Sequence, residues 1–136
     1  MDINGDIGKL LMVEKLTKLK ILLKELRITM ADAPGSLATH CKAIAAAGVN
    51  ILAIVAIGDG SASAAVLTDN PSATISALDA IGANYTVSNL KSAKLDHKPG
   101  ALAGFTRGLG NSGVNLRSLY VMSVSGDTAT IGYTTD

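Results

Sequence analysis

Leu26, Ile28 and Met30 alternate with Arg27 and Thr29, the two-residue period of a strand with one buried face, and this run ends near Ala31. Pro34 then presets φ for a first helical turn. Leu37, Cys41, Ile44 and Ala45 recur at helical spacing until Gly48 offers a left-handed stop, which predicts one amphipathic helix with these residues inside. Val49 to Ile57 is rich in β-branched residues and almost wholly apolar, Gly58-Asp59-Gly60 carries a tight-turn signal, and Ser61 to Thr68 reads as the return strand of a hairpin. Asn70-Pro71 opens a second helix, with the amide as N-cap, Pro at the first helical position and Ile75, Leu78 and Ile81 as the inner stripe. Gly82 closes it, and Tyr85 and Val87 mark a last strand. The predicted order is β-α-β-β-α-β, a split arrangement that sets two helices on one face of an antiparallel sheet.

The chain then repeats itself. Pro34-Gly35-Ser36-Leu37-Ala38 matches Pro99-Gly100-Ala101-Leu102-Ala103, and Gly48-Val49-Asn50-Ile51 matches Gly113-Val114-Asn115-Leu116; 99 − 34 and 115 − 50 are both 65. An equal offset at both ends means a repeated structural unit rather than a repeated turn. In the second copy Ala93 and Leu95 fall in a strand, Leu102, Phe105 and Leu109 in a helix, and Val114 to Val124 with Asp127 to Thr134 in a hairpin. Asp136 then stands where Asp69 stood, so the second copy is expected to lack its last helix and strand. The expected organisation is an extension over residues 1–23, a first module over 24–89 and a second, incomplete module over 90–136. Ile7, Leu11, Leu16, Leu19 and Leu23 approximate a helical stripe in the extension. That extension and a second chain are both candidates to cover the side of the second sheet left open.

Composition changes this picture little. Of 136 residues, 48% are apolar and 17% charged, so the chain should fold, although alanine and glycine supply much of the apolar share and make the core thin. A formal net charge of +1 gives no broad attraction to nucleic acid or anionic lipid. The longest apolar stretch, Ala43 to Ile57, is interrupted by Gly48 and Asn50 and is too short to span a bilayer. A single cysteine, Cys41, forms no internal disulfide, and no export signal is legible in residues 1–23, so a cytoplasmic location is expected.

The two motif pairs, Asp32-Ala33-Pro34-Gly35-Ser36-Leu37 with Gly48-Val49-Asn50-Ile51 and Asp96-His97-Lys98-Pro99-Gly100-Ala101-Leu102 with Gly113-Val114-Asn115-Leu116, resemble the ACT domain. This is a small amino-acid-sensing module, and the chain is most similar to proteins built of two such domains in tandem. The resemblance covers residues 24 to 136. It implies an α+β, ferredoxin-like βαββαβ fold in tandem, and a small-molecule ligand, an amino acid, bound at the interface of paired modules, in a homodimer without cofactor. The ligand-binding residues it implies are Asp32, Ala33, Pro34, Gly35, Ser36, Leu37, Asn50 and Ile51 in the first copy. In the second they are His97, Lys98, Gly100, Ala101, Leu102, Asn115 and Leu116.

Elementary chemistry supports that placement. A helix beginning at Pro34-Gly35 leaves the amides of Gly35, Ser36 and Leu37 without intrahelical partners, where a ligand carboxylate meets free donors and the positive end of the helix dipole. The Asn50 and Asn115 amides could grip a carboxylate or amine from a neighbouring module, and Asp32 could pair with an α-ammonium. The same residues also serve as ordinary turn chemistry. The copies differ, because His97 occupies the position of Asp32.

Other chemistries find little support. Gly108-Leu109-Gly110-Asn111-Ser112-Gly113 spells G-x-G-x-x-G, but a helix precedes it and a strand follows, the reverse of a dinucleotide site. His40 and Cys41 are adjacent, so a helix points them about 100° apart, and no metal spacing accompanies them. Cys41 reads as a small buried hydrophobe, and His97 as either a site residue or a loop histidine. No nucleophile motif or paired carboxylate is legible. One Phe, three Tyr and no Trp argue against base stacking on the sheet. A non-catalytic sensor is the leading expectation, with a ligand-independent assembly module as the alternative and an enzyme third.

Overall fold

The computed structural model describes residues 23–136. The elements are β1 (Lys24–Met30), α1 (Ser36–Ala46), β2 (Ile51–Gly58), β3 (Ala62–Thr68), α2 (Pro71–Ala80), β4 (Asn84–Asn89), β5 (Lys91–Asp96), α3 (Ala101–Asn111), β6 (Leu116–Ser125) and β7 (Thr128–Thr135). They form a four-stranded sheet in the order β2-β3-β1-β4 and a three-stranded sheet in the order β5-β7-β6. The α+β, ferredoxin-like reading therefore holds, and among the described residues the second sheet has no counterpart of β4 beside β5. The stripe over residues 1–22 lies outside the described residues.

Each sheet has two working faces because side chains alternate along a strand. On β1, Leu26 sits opposite Val66 and Val87, and Ile28 opposite Ala64 and Tyr85. Apart from the more exposed Val87, these residues meet Ile44 of α1 and Leu78 of α2 to form the first core. The opposite face carries Leu67, which joins Leu23, Leu90, Tyr120 and Met122 in a second apolar cluster. That cluster connects the two sheets through their helix-free faces. Gly132 on β7 admits it, since a Cβ there would lie 2.7 Å from the Met122 sulfur.

A polar group lies beside this cluster. Glu25 is only 1% exposed and holds Arg27 Nη2 at 3.2 Å on one oxygen, while its other oxygen accepts from the Ser118 hydroxyl. Ser118 also meets buried Thr134, and Arg27 Nη2 donates to the Arg117 carbonyl at 3.2 Å. Among the described residues, the Tyr120 hydroxyl is buried without a hydrogen-bond partner. Burial, and next the Glu25 carboxylate nearby, push this phenol well above its ordinary range.

Two inner stripes differ from expectation. Ile44 and Leu78 are fully buried, but Leu37 and Ile81 are largely exposed and Cys41 is half-buried. Ile81 is the C-cap of α2, past the last turn that touches the sheet. Its inner place goes to Thr74, whose hydroxyl donates to the Asn70 carbonyl at 2.8 Å and so must accept from Thr68 at 2.8 Å. Thr74→Val should therefore cost about 1–3 kcal/mol by stranding the Thr68 hydroxyl, against roughly 1 kcal/mol for Thr68→Val. Urea denaturation of both variants checks this, and equal costs would contradict the assigned direction. Asn70 caps α2 as its sequence suggested, its side chain accepting from the Ala73 amide at 3.1 Å.

In the second module α3 covers β5 and β7, with Phe105 edge-on to Tyr133 at 5.3 Å between ring centroids. No residue of α3 is buried, because a three-stranded sheet with one helix offers too little cover.

Candidate functional site

β1 and β2 both run antiparallel to β3 and hence parallel to each other, so the end of β1 and the end of β2 share one edge of the first sheet. The loop following β1 lies there. A cavity of about 170 Å³ opens beside it, lined by Asp32, Ala33, Ser36 and Leu37 of the loop and helix start, and by Ala56, Ile57 and Gly58 with Ala62 and Ser63 across the hairpin. Of the residues expected in the first copy, Asp32, Ala33, Ser36 and Leu37 therefore come together, with Pro34 and Gly35 between them in the chain. Asn50 and Ile51 do not join them within the module. They begin β2 at the opposite end of the sheet, separated by a strand of eight residues, roughly 25 Å.

Helix α1 begins at Ser36, one turn position later than the Pro-Gly signal suggests. Gly35 is its N-cap at φ 85°, left-handed backbone that favours glycine, and Gly100 repeats this before α3 at φ 88°. The Ser36 amide already donates to the Ala33 carbonyl at 3.2 Å, and Ala101 likewise to Lys98 at 3.3 Å. Of the expected helix-start donors, those left unpaired among the described residues are thus the Gly35 and Leu37 amides in the first copy and the Gly100 and Leu102 amides in the second. Asp32 is positioned by the hairpin: its carboxylate accepts from the Gly60 amide at 2.9 Å, and a Cβ on Gly58 would fall 2.7 Å from its Oδ1. The hairpin glycines admit the carboxylate, which the turn signal alone did not indicate.

The second loop is built differently. There the His97 amide donates to the Asp127 carbonyl at 2.7 Å, so main chain replaces the carboxylate in joining loop to hairpin. Lys98 makes an exposed ion pair with Asp96 at 3.7 Å. The position of Asp32 thus has no acidic counterpart.

Both asparagines close their own modules. The Asn50 amide nitrogens, main-chain and side-chain, each donate to Asp69 at 3.1 Å, and the Asp69 amide returns a bond to the Asn50 carbonyl. Asn115 meets Asp136 in the same way, with Nδ2 to Oδ2 at 3.0 Å, and Arg117 Nε also reaches that carboxylate. Hydrogen bonding from Asn115, and next from Arg117, holds the Asp136 carboxyl below its ordinary value. The Gly-Val-Asn repeat therefore marks where each β-hairpin is tied to the chain entering it.

The G-x-G-x-x-G string falls at the end of α3 and before β6, where no phosphate cradle forms. Among the described residues, no three His, Cys, Asp or Glu side chains cluster in a way that could hold a metal ion, and no helix is long and apolar enough to cross a membrane.

The architecture, with Pro-Gly loops at equivalent helix starts of two modules, is an ACT-like fold. Solved structures share it. A protein from Bacteroides thetaiotaomicron superposes with a TM-score of 0.71 at 18% identity, over 82% of this chain and 78% of that one. The ligand-free regulatory subunit of aspartate kinase from Thermus thermophilus follows with 0.64 at 14% identity, over 84% and 83%, and that from Thermus flavus with 0.62 at 15%, over 83% and 82%. Family models give no match to the chain, and neither do curated protein sequences.

Proposed function

We propose that this protein is a non-catalytic regulatory module that binds a small metabolite, an amino acid, at the first Pro-Gly loop when modules pair, and that residues 24–89 and 90–136 are its two modules. The observation that carries the reading is the cavity beside Asp32, whose lining joins that residue to Ser36 and Leu37 at the start of α1. An amino acid offers the complementary pair, a carboxylate for the amides and an ammonium for Asp32. Similar solved structures include regulatory subunits of aspartate kinase, which supports a regulatory role.

Pairing of two chains supplies what one module lacks. Strand β2 is an edge strand whose Leu52, Ile54, Val55 and Ile57 are each more than 40% exposed, an apolar edge that a second copy would cover. An antiparallel pairing of two such edges brings the end of one β2 near the start of the other, and so sets Asn50 of one copy toward the loop of its partner.

Thermal-shift measurement against the twenty amino acids at millimolar concentration tests the ligand. One of them should stabilise the protein by roughly 3–4 kcal/mol at 100 to 1,000 times its dissociation constant. No shift with any of them overturns the amino-acid reading. Asp32→Asn keeps an acceptor for Gly60 but removes the charge, and should weaken that ligand at least about tenfold.

The exposed β2 edge also favours a second reading, assembly without ligand. Under it Ile54→Lys abolishes the dimer seen by analytical ultracentrifugation, while no amino acid alters either association or melting.

A further inference from the structure

A larger cavity, of about 290 Å³, opens where β6 of the second module crosses the helix-free face of the first sheet. Its walls come from both modules: Arg27, Val55 and Ile57 from one, Arg117, Leu119 and Tyr120 from the other. The volume is at the lower end of small-molecule sites. It adjoins the loop cavity along Ile57 but has different chemistry.

Every charged side chain lining it is a guanidinium. Arg27 spends Nη2 on Glu25 and on the Arg117 carbonyl, and Arg117 spends Nε on Asp136. A guanidinium has five N–H donors, so Arg117 keeps its Nη1/Nη2 fork and Arg27 keeps Nε and Nη1 donors for a further anion. Of the two acids close by among the described residues, Glu25 is 1% exposed with both oxygens engaged, and Asp136 is held by Asn115 and Arg117; neither lines the cavity. An ammonium would therefore enter beside two cations, with no acidic side chain among the described residues that line the cavity. Facing the arginines, Val55 and Ile57 are 41% and 64% exposed, apolar surface that a bound chain would cover.

We propose that this inter-module cavity binds a small monocarboxylate with an apolar chain and no ammonium group. The carboxylate sits between Arg27 and Arg117, and the chain lies on Val55, Ile57 and Leu119. Because its walls belong to both modules, such a ligand favours the arrangement in which they are in contact. The proposal stands apart from the amino-acid reading, since its ligand carries no ammonium and its residues exclude Asp32 and Gly35.

Calorimetric titration of the full chain with hexanoate, hexanamide and norleucine tests it. Hexanoate should bind, and the uncharged amide and the amino acid should each bind at least about tenfold more weakly. Arg117→Gln should weaken hexanoate by a similar factor, and Val55→Trp, which fills the cavity from an exposed position, should abolish its binding. Both variants should keep the wild-type circular dichroism spectrum, and Arg117→Gln the wild-type response in the amino-acid screen. Equal binding of acid and amide, no hexanoate binding at millimolar concentration, or unaltered binding by Val55→Trp would each overturn the proposal. A negative amino-acid screen with positive hexanoate binding sinks the loop-site reading alone.

Discussion

Arg27→Met is expected to destabilise the protein by about 3–5 kcal/mol, because it leaves the Glu25 carboxylate buried without its cation. Only the Ser118 hydroxyl would remain on that carboxylate, and the link from Arg27 to the Arg117 carbonyl across the two modules would go with it. The double variant Arg27→Met with Glu25→Met should recover most of the loss. Removing both charges eliminates the desolvation cost that the single change exposes. Chemical denaturation of wild type, both single variants and the double variant forms the cycle that measures this. A single-variant cost below about 1 kcal/mol would mean that Arg27 is a solvated surface charge, of the kind whose pairs contribute little.

Leu26→Ala is expected to cost about 2–5 kcal/mol, since Leu26 is 0% exposed between Val66 and Val87 at the middle of the first core. The thin core makes the effect severe. Alanines such as Ala64 line the same cluster and leave few large side chains to move into the space. In a domain of this size the melting temperature should fall on the order of 10 °C. Ile57→Ala, by contrast, removes the same number of carbons from a position 64% exposed, and should change monomer stability by no more than about 0.5 kcal/mol. Comparable losses from the two would show that Ile57 is covered in solution.

Local signals carried the element order far. The two-residue alternation around Leu26 gave β1, the Asn70-Pro71 pair gave the cap of α2, and the 65-position repeat gave two modules of one kind. Each depends on a few neighbouring residues and on backbone preferences that act whatever the rest of the chain does. Side-chain burial was less legible. Period alone placed Cys41 and Ile81 inside, whereas burial depends on where each helix ends over its sheet, and a helix with one companion cannot hide a full stripe.

The candidate site divides along the same line. By itself the sequence determined that two helices begin at Pro-Gly turns and that each hairpin is entered through Gly-Val-Asn, because glycine's left-handed backbone and the asparagine amide are local chemistry. Only the tertiary structure decided which ends of the strands meet. Parallel β1 and β2 bring Asp32 to the Gly58–Gly60 hairpin and send Asn50 to the far edge, where it ties down Asp69. Nor does any spacing place Arg27 beside Arg117, which are 90 positions apart. Their meeting requires two sheets to pack through their helix-free faces, and that follows from the whole distribution of apolar surface rather than from any one motif.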